Sequence, residues 1–331
     1  MKMLMLTCLW LTVRIAAAAE GERLEGQLER IRVSQTFFHE IELIDFVEEL
    51  RNLSSRRATG ASAVSSINFV NLATSRETFS MPSRDLSLLE LIQLGCGAFK
   101  VKAVIEPRAV LIAPLDHAFI NPQTAAKGAK GQEAVWRHRY MPTMQFEDAT
   151  IEEACVYLVT SVRAACDPPL HQPQFNLVLK CNAASSLRKL SLDVHDVPIH
   201  DALRYLGELS GLKLRYHANA VVLSPPGDRL IHAELPGKSA AKQRADKIVL
   251  PKVELANTSL EDVVNYVSRE SKQIDPAGKG VEVVVKPGLT ATKQCDLNLR
   301  RMNVSEVLRY AAALLEVGLT ADNQSFIFAE Q

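Results

Sequence analysis

The densest gathering of groups that could do chemistry lies around residue 200, where His195, Asp196, His200 and Asp201 fall close together and His217 follows in a turn. Imidazoles and carboxylates could ligate a divalent metal or pass a proton. A zinc centre, however, wants paired cysteines or an HExxH-type spacing that sets two ligands on one face. Neither occurs, and the positions read as a polar strand edge and a solvated helix start. The acidic pairs Glu48-Glu49 and Glu152-Glu153 sit on the wet sides of expected helices. There is no G-x-S-x-G elbow, no P-loop and no G-x-G-x-x-G fingerprint. The sequence therefore predicts no catalytic residue, no cofactor site and no metal ligand.

Cysteine accounting gives little more. Beyond Cys8 there are Cys96, Cys155, Cys166, Cys181 and Cys295, an odd number. Cys155 falls on the apolar stripe of a helix and reads as a small buried hydrophobe. Cys166 and Cys181 bracket a strand and are the favoured pair if one disulfide forms. An extended strand between them could hold their Cα atoms beyond the roughly 7 Å that a bridge spans.

These residues need elements to place them. From Leu190 to Pro226, Leu190, Leu192 and Val194 alternate with polar residues as in a half-buried strand. Ile199, Ala202, Leu203, Leu206 and Leu209 then take helical spacing, with Pro198 in the expected first turn and Gly211 as the stop. Leu212 to Leu223 return as a hairpin. The pattern recurs: Leu43, Phe46, Val47 and Leu50 share their spacing with Ile151, Ala154, Cys155 and Leu158 and with Leu260, Val263, Val264 and Val267. Thr150-x-x-Glu153 and Thr258-x-x-Glu261 fit capping boxes at the second and third of these helix starts. Second strands are expected at Ile67 to Val70, Phe175 to Leu179 and Val281 to Val285. The tripeptide Leu203-Arg204-Tyr205 returns as Leu308-Arg309-Tyr310.

The expectation is an α+β protein of three tandem βαββαββ units, each with two helices packed on small sheets and each holding its own core. The boundaries are a signal peptide over 1–19, units over 28–114, 136–226 and 248–331, and linkers over 115–135 and 227–247. The signal reading rests on Lys2, the apolar run Met3 to Val13 and Ala17-x-Ala19, with cleavage between Ala19 and Glu20; Arg14 at the end of the apolar run departs from the pattern. No other run is long enough to span a membrane. With 331 residues, 47% hydrophobic and 23% charged, the chain suits two or three cores, and its formal net charge of zero offers no field for nucleic acid.

The second unit, with DVPIHDALRYLGELSGLKLRYHANAVVLSP, resembles the short N-terminal domain shared by secretins and TonB-dependent receptors, commonly called STN. MNVSEVLRYAAALLEVGLTADNQSFIF and DLSLLELIQLGCGAFKVKAVIEPRAVLIAP carry the same likeness in the other two. The resemblance implies periplasmic location and docking of envelope proteins. No series of roughly ten-residue alternating strands follows as in a membrane barrel, so only domain-level partner binding carries over. RNA-binding folds of similar element order need stacking aromatics or a G-x-x-G loop, and neither is present. The resulting expectation is a periplasmic, non-enzymatic adaptor or scaffold with no cofactor, no nucleic-acid partner and no membrane span after signal cleavage, association with the outer membrane being compatible. A carbohydrate-binding module, which would want exposed tryptophan or tyrosine platforms, and an uncharacterised periplasmic enzyme are the alternatives.

Overall fold

The computed structural model of the chain describes residues 24–56, 67–119, 123–124, 129–165, 174–228, 231, 239–289 and 291–330. The class is α+β. In chain order a helix over 24–30 (α1) leads into β1 (Arg32–Ile41), α2 (Leu43–Arg56), β2 (Asn68–Asn71), β3 (Phe79–Ser87), α3 (Leu88–Ala98), β4 (Val101–Ile105) and β5 (Ala109–Pro114). A connecting stretch holds β6 (Gln123–Thr124) and α4 (Ala129–Arg137). The middle series follows: β7 (Tyr140–Ala149), α5 (Ile151–Ala165), β8 (Leu177–Leu179), α6 (Ala183–Ser186), β9 (Leu190–Pro198), α7 (Ile199–Ser210), β10 (Lys213–Tyr216) and β11 (Val221–Ser224). After α8 (Ala240–Lys247) come β12 (Val249–Thr258), α9 (Leu260–Ile274), β13 (Glu282–Val285), β14 (Cys295–Asn303), α10 (Val304–Leu315), β15 (Gly318–Ala321) and β16 (Ser325–Ala329).

Each series makes one long antiparallel ladder and one short mixed sheet. The ladders are β1–β3, β7–β9 and β12–β14. The short sheets run β2-β5-β4, β6-β10-β11-β8 and β13-β16-β15. In every short sheet one pairing is parallel, where the chain crosses over through a helix, and one is antiparallel, where a hairpin joins adjacent strands; in the middle sheet β6 adds a second parallel pairing.

One backbone device recurs in each ladder. The register shifts between Phe38 and Ile41, between Phe146 and Ala149, and between Leu255 and Thr258. At each bulge a residue takes positive φ: Glu40, Asp148 and Asn257. The amide freed there is capped from the facing strand, by Ser80 Oγ at 2.7 Å, Ser191 Oγ at 3.1 Å and Asp296 Oδ1 at 2.7 Å. Left-handed residues also close each second helix: Lys100, Gly211 and Glu316. Only one of the three is glycine, so the sequence announces the stop plainly in the middle series alone.

Helix starts follow local capping. Ser87 and Glu90 form a reciprocal box at α3, and Thr150 and Glu153 form one at α5, with bonds of 2.8 and 3.2 Å. At α9 the expected Thr258–Glu261 box gives way to a cap one residue later, where Ser259 Oγ accepts from the Asp262 amide. Thr258 is still the last residue of β12, so its hydroxyl is out of place for the job. Pro198 likewise ends β9, one position before the helix it was expected to open.

The chain divides into two compact units. One comprises Met1–Phe119, Tyr140–Ala149 and Leu190–Tyr205; the other comprises Ile120–Arg139, Thr150–Lys189 and Leu206–Gln331. The first has a core of Leu28, Phe46, Phe69, Leu88, Val110 and their neighbours. In it Phe46 meets Phe38, Phe79 and Phe99 with ring centroids 5.5 to 5.8 Å apart. Gly95 is required there, because a Cβ at that position would stand 2.2 Å from the Phe46 ring.

The second unit's core gathers Val253, Val263, Leu299, Val307, Leu308, Phe326 and Phe328 of the third series, and it also takes in Val178, Ala220 and Val222 of the middle series. The expectation of self-contained cores therefore needs amending here. Val178 and Val222 sit on the sheet face turned away from the middle helices, and an apolar face of that kind must be buried against something. The connecting stretches are packed as well: Trp136 of α4 is buried with its Nε1–H donating to Gln132 at 2.8 Å, and Ala241 and Ala245 of α8 are buried.

Candidate docking faces

Alternation along a strand decides what the short sheets present. In β2, Phe69 points into the first core, so Asn68 and Val70 point out the other side. Both are nonetheless buried, Val70 to 1% exposure, as is Leu111 beside it on β5. What lies against β2 is β9 of the next series. The side-chain amide of Asn68 reads its backbone: Nδ2 donates to the His195 carbonyl at 2.8 Å and Oδ1 accepts from the His195 amide at 2.7 Å. The same amide donates to the Arg108 carbonyl at 2.9 Å.

The second unit repeats this joint with different residues. Asn176, just before β8, donates to the Arg300 carbonyl at 2.9 Å and to the Asn219 carbonyl at 3.0 Å, and accepts from the Arg300 amide at 2.7 Å. A carboxamide carries a donor and an acceptor side by side, so it can donate to the carbonyl and accept from the amide of the same residue at once. Arg163 of α5 adds bonds to Asn298 at 2.6 and 3.0 Å.

A second contact accompanies each clamp. In the first unit Arg204 and Tyr205 of α7 meet Glu106, which opens the β4–β5 turn; Arg204 pairs with its carboxylate, and Tyr205 Oη donates to it at 3.1 Å. Burial and the nearby acids raise the Tyr205 pKa well above the usual phenol range, so that hydroxyl stays a donor. In the second unit Arg309 and Tyr310 of α10 meet His217, which opens the β10–β11 turn. The His217 and Tyr310 rings stack with centroids 5.8 Å apart, the phenol oxygen lies 2.8 Å from Nδ1, and Arg309 lies 3.3 Å from the same nitrogen. The returning Leu-Arg-Tyr tripeptide is thus the part of the second helix that grips a preceding hairpin turn. A third contact sits alongside: Arg108 bonds to Asp196 and covers the Tyr140 ring at 4.6 Å, and Asn219 donates to Glu306 at 2.7 Å.

Among the described residues the third series leaves this outer face uncovered. At the position of Asn68 and Asn176 stands Glu282, which is exposed, and Val284, two residues on, is 40% exposed against 1% for Val70 and Val178. Across the sheet Val284 pairs with Ile327, half-buried, and Ile327 with Thr320, exposed. The edges differ too. In the middle series the outer edge of β10 carries β6, paired in parallel with Arg215 opposite Gln123 and Tyr216 opposite Thr124. Among the described residues no strand lies on the outer edge of β15, the corresponding strand of the third series. The Asp322 amide closes its turn onto the Ser325 carbonyl at 3.0 Å, so alternation turns the amides of Leu319 and Ala321 toward that open edge.

The residues singled out for chemistry fall into this frame. In the first unit His195 supplies backbone to the Asn68 clamp, and its ring lies 3.1 Å from Asp193 and 3.3 Å from Thr143. Asp196 pairs with Arg108, His200 is buried in the first turn of α7, and Asp201 lies 3.6 Å from Arg204. His217 belongs to the joint of the second unit. Among the described residues no three His, Cys, Asp or Glu side chains converge as metal ligands. Cys181 is a half-buried free thiol, while Cys166 and the Ala19–Glu20 bond lie outside the described residues. Trp136, the tryptophan a carbohydrate platform would have used, is buried edge-on against Phe175 at 4.9 Å. Among the described residues no helix is long and apolar enough to cross a membrane. No family model, curated protein or solved structure matches the chain.

Proposed function

We propose that the chain is a periplasmic, non-enzymatic adaptor of tandem STN-like domains, which binds envelope proteins by accepting an extended segment of the partner along the open edge of β15. The parallel pairing of β6 on β10 carries this reading: the fold already accepts a strand at that edge in the middle series, and the corresponding edge of the third has amides and carbonyls to spare. Main-chain bonding of this kind asks little of the partner's sequence beyond an extended, unpaired stretch.

The test is crosslinking and co-purification from envelope extracts with the native chain and with Ala321→Pro. Proline removes one outward amide and leaves the β15–β16 ladder its own bonds. Edge-dependent capture supports the reading; envelope proteins captured equally by both forms, or none captured together with a hydrolase or lyase activity, overturn it.

A further inference from the structure

The two joints define a pair of mating surfaces, and among the described residues each surface also occurs once without a mate. The first is the outer sheet face of the third series described above, with Val284, Ile327 and Glu282. The second is the first series' version of the surface that grips. There Leu94 stands where α7 and α10 carry Tyr205 and Tyr310, and it is 47% exposed where those tyrosines are buried. Leu86 is half-buried where Val197 and Met302 are fully buried. Arg32 stands where β7 begins with Tyr140, and its side chain is 59% exposed beside Glu90.

We infer that these two surfaces bind each other between copies, the outer face of β13–β16–β15 of one chain seating on the β3–α3 surface of a second. Two observations point to a second copy. The geometry of mating is already realised twice within the chain. Both unmated surfaces expose apolar residues where their covered counterparts are dry. The contact is weaker than the internal joints, because Glu282 cannot donate to a carbonyl as Asn68 and Asn176 do, and Gln93-Leu94 replace the Arg-Tyr grip. It is heterologous, so each copy uses a different surface. The inference is independent of strand addition at β15.

Sedimentation equilibrium of the purified chain tests it. The average mass rises with concentration for the native chain, and Val284→Glu and Leu94→Glu each hold it at the monomer. The discriminating sample is a mixture of the two variants: the intact outer face of the Leu94→Glu chain meets the intact β3–α3 surface of the Val284→Glu chain, so the mixture reaches the mass of a dimer and stops. A native chain monomeric at every concentration, self-association that survives either substitution, or a mixture that stays monomeric overturns the proposal. Circular dichroism of both variants confirms that they are folded.

Discussion

Replacing Asn176 by alanine removes three hydrogen bonds at once from a side chain 2% exposed, and the groups left behind are main-chain: the Arg300 amide, the Arg300 carbonyl and the Asn219 carbonyl. A buried polar group stranded in this way costs about 1–3 kcal/mol. The three are neighbours and relax together, so their costs do not add fully, and the expected loss is about 3 kcal/mol for the second unit. Asn176→Asp is at least as damaging at neutral pH, since a carboxylate satisfies the amide but faces two carbonyls with no proton to offer. Denaturant unfolding followed through Trp136, which lies against Phe175 next to the clamp, gives the magnitude. Hydrogen exchange at the Arg300 amide gives the location, and it quickens first in both variants. A loss below about 0.5 kcal/mol, the range of an ordinary surface change, with Arg300 exchange unaltered, would refute the reasoning.

Other consequences follow from the same structure. Gly95→Ala should lower stability by about 1–3 kcal/mol through overpacking against Phe46, whereas Gly97→Ala, whose added Cβ meets nothing within 4 Å, should not; thermal melts of the pair decide it. Lys180 pairs with Asp228 at 2.8 Å with both side chains largely buried, so Asp228→Ala should cost about 1–3 kcal/mol by leaving a buried ammonium with only the more distant Glu316 carboxylate at 3.9 Å, read by denaturant titration. Burial pushes the Cys96 and Cys181 thiols up to about 11 and Cys295 up to about 12, from 9.0. In this window the unfolded chain releases protons that the folded chain keeps, so stability is complete below pH 9 and falls as pH rises through 11 and 12; Cys295→Ala should flatten that slope, and an unchanged slope would contradict the assignment. Glu282→Asn should leave stability within about 0.5 kcal/mol, because the residue is exposed.

How much of this was legible in the sequence depended on range. Elements were readable, because stripes such as Ile151–Leu158 and alternations such as Leu190–Val194 follow from the pitch of helix and strand alone. Cap positions were readable only to within a residue, since Thr258 and Ser259 are chemically equivalent candidates and the last pairing of β12 chooses between them. The joints were not legible as joints. Asn68 and Asn176 are single polar residues beside short apolar strands, and nothing local says that an amide there will read a backbone more than a hundred residues away. Arg204-Tyr205 and Arg309-Tyr310 were visible as a repeated pair, but Glu106 and His217, the residues they meet, share no chemistry that would link them in advance. The shared core had a signal in hindsight: Val178 and Val222 are apolar on the face where a solvated sheet would carry polar side chains.

The most direct test of the adaptor reading is photo-crosslinking in intact cells from a photoreactive side chain placed at Thr320 on β15, compared with one at Arg215 on β10, whose edge β6 already occupies. The account predicts an adduct with a different envelope protein at Thr320, absent at Arg215, persisting with Val284→Glu and lost with Ala321→Pro. Adducts that appear equally at both positions, or that ignore Ala321→Pro, would contradict it.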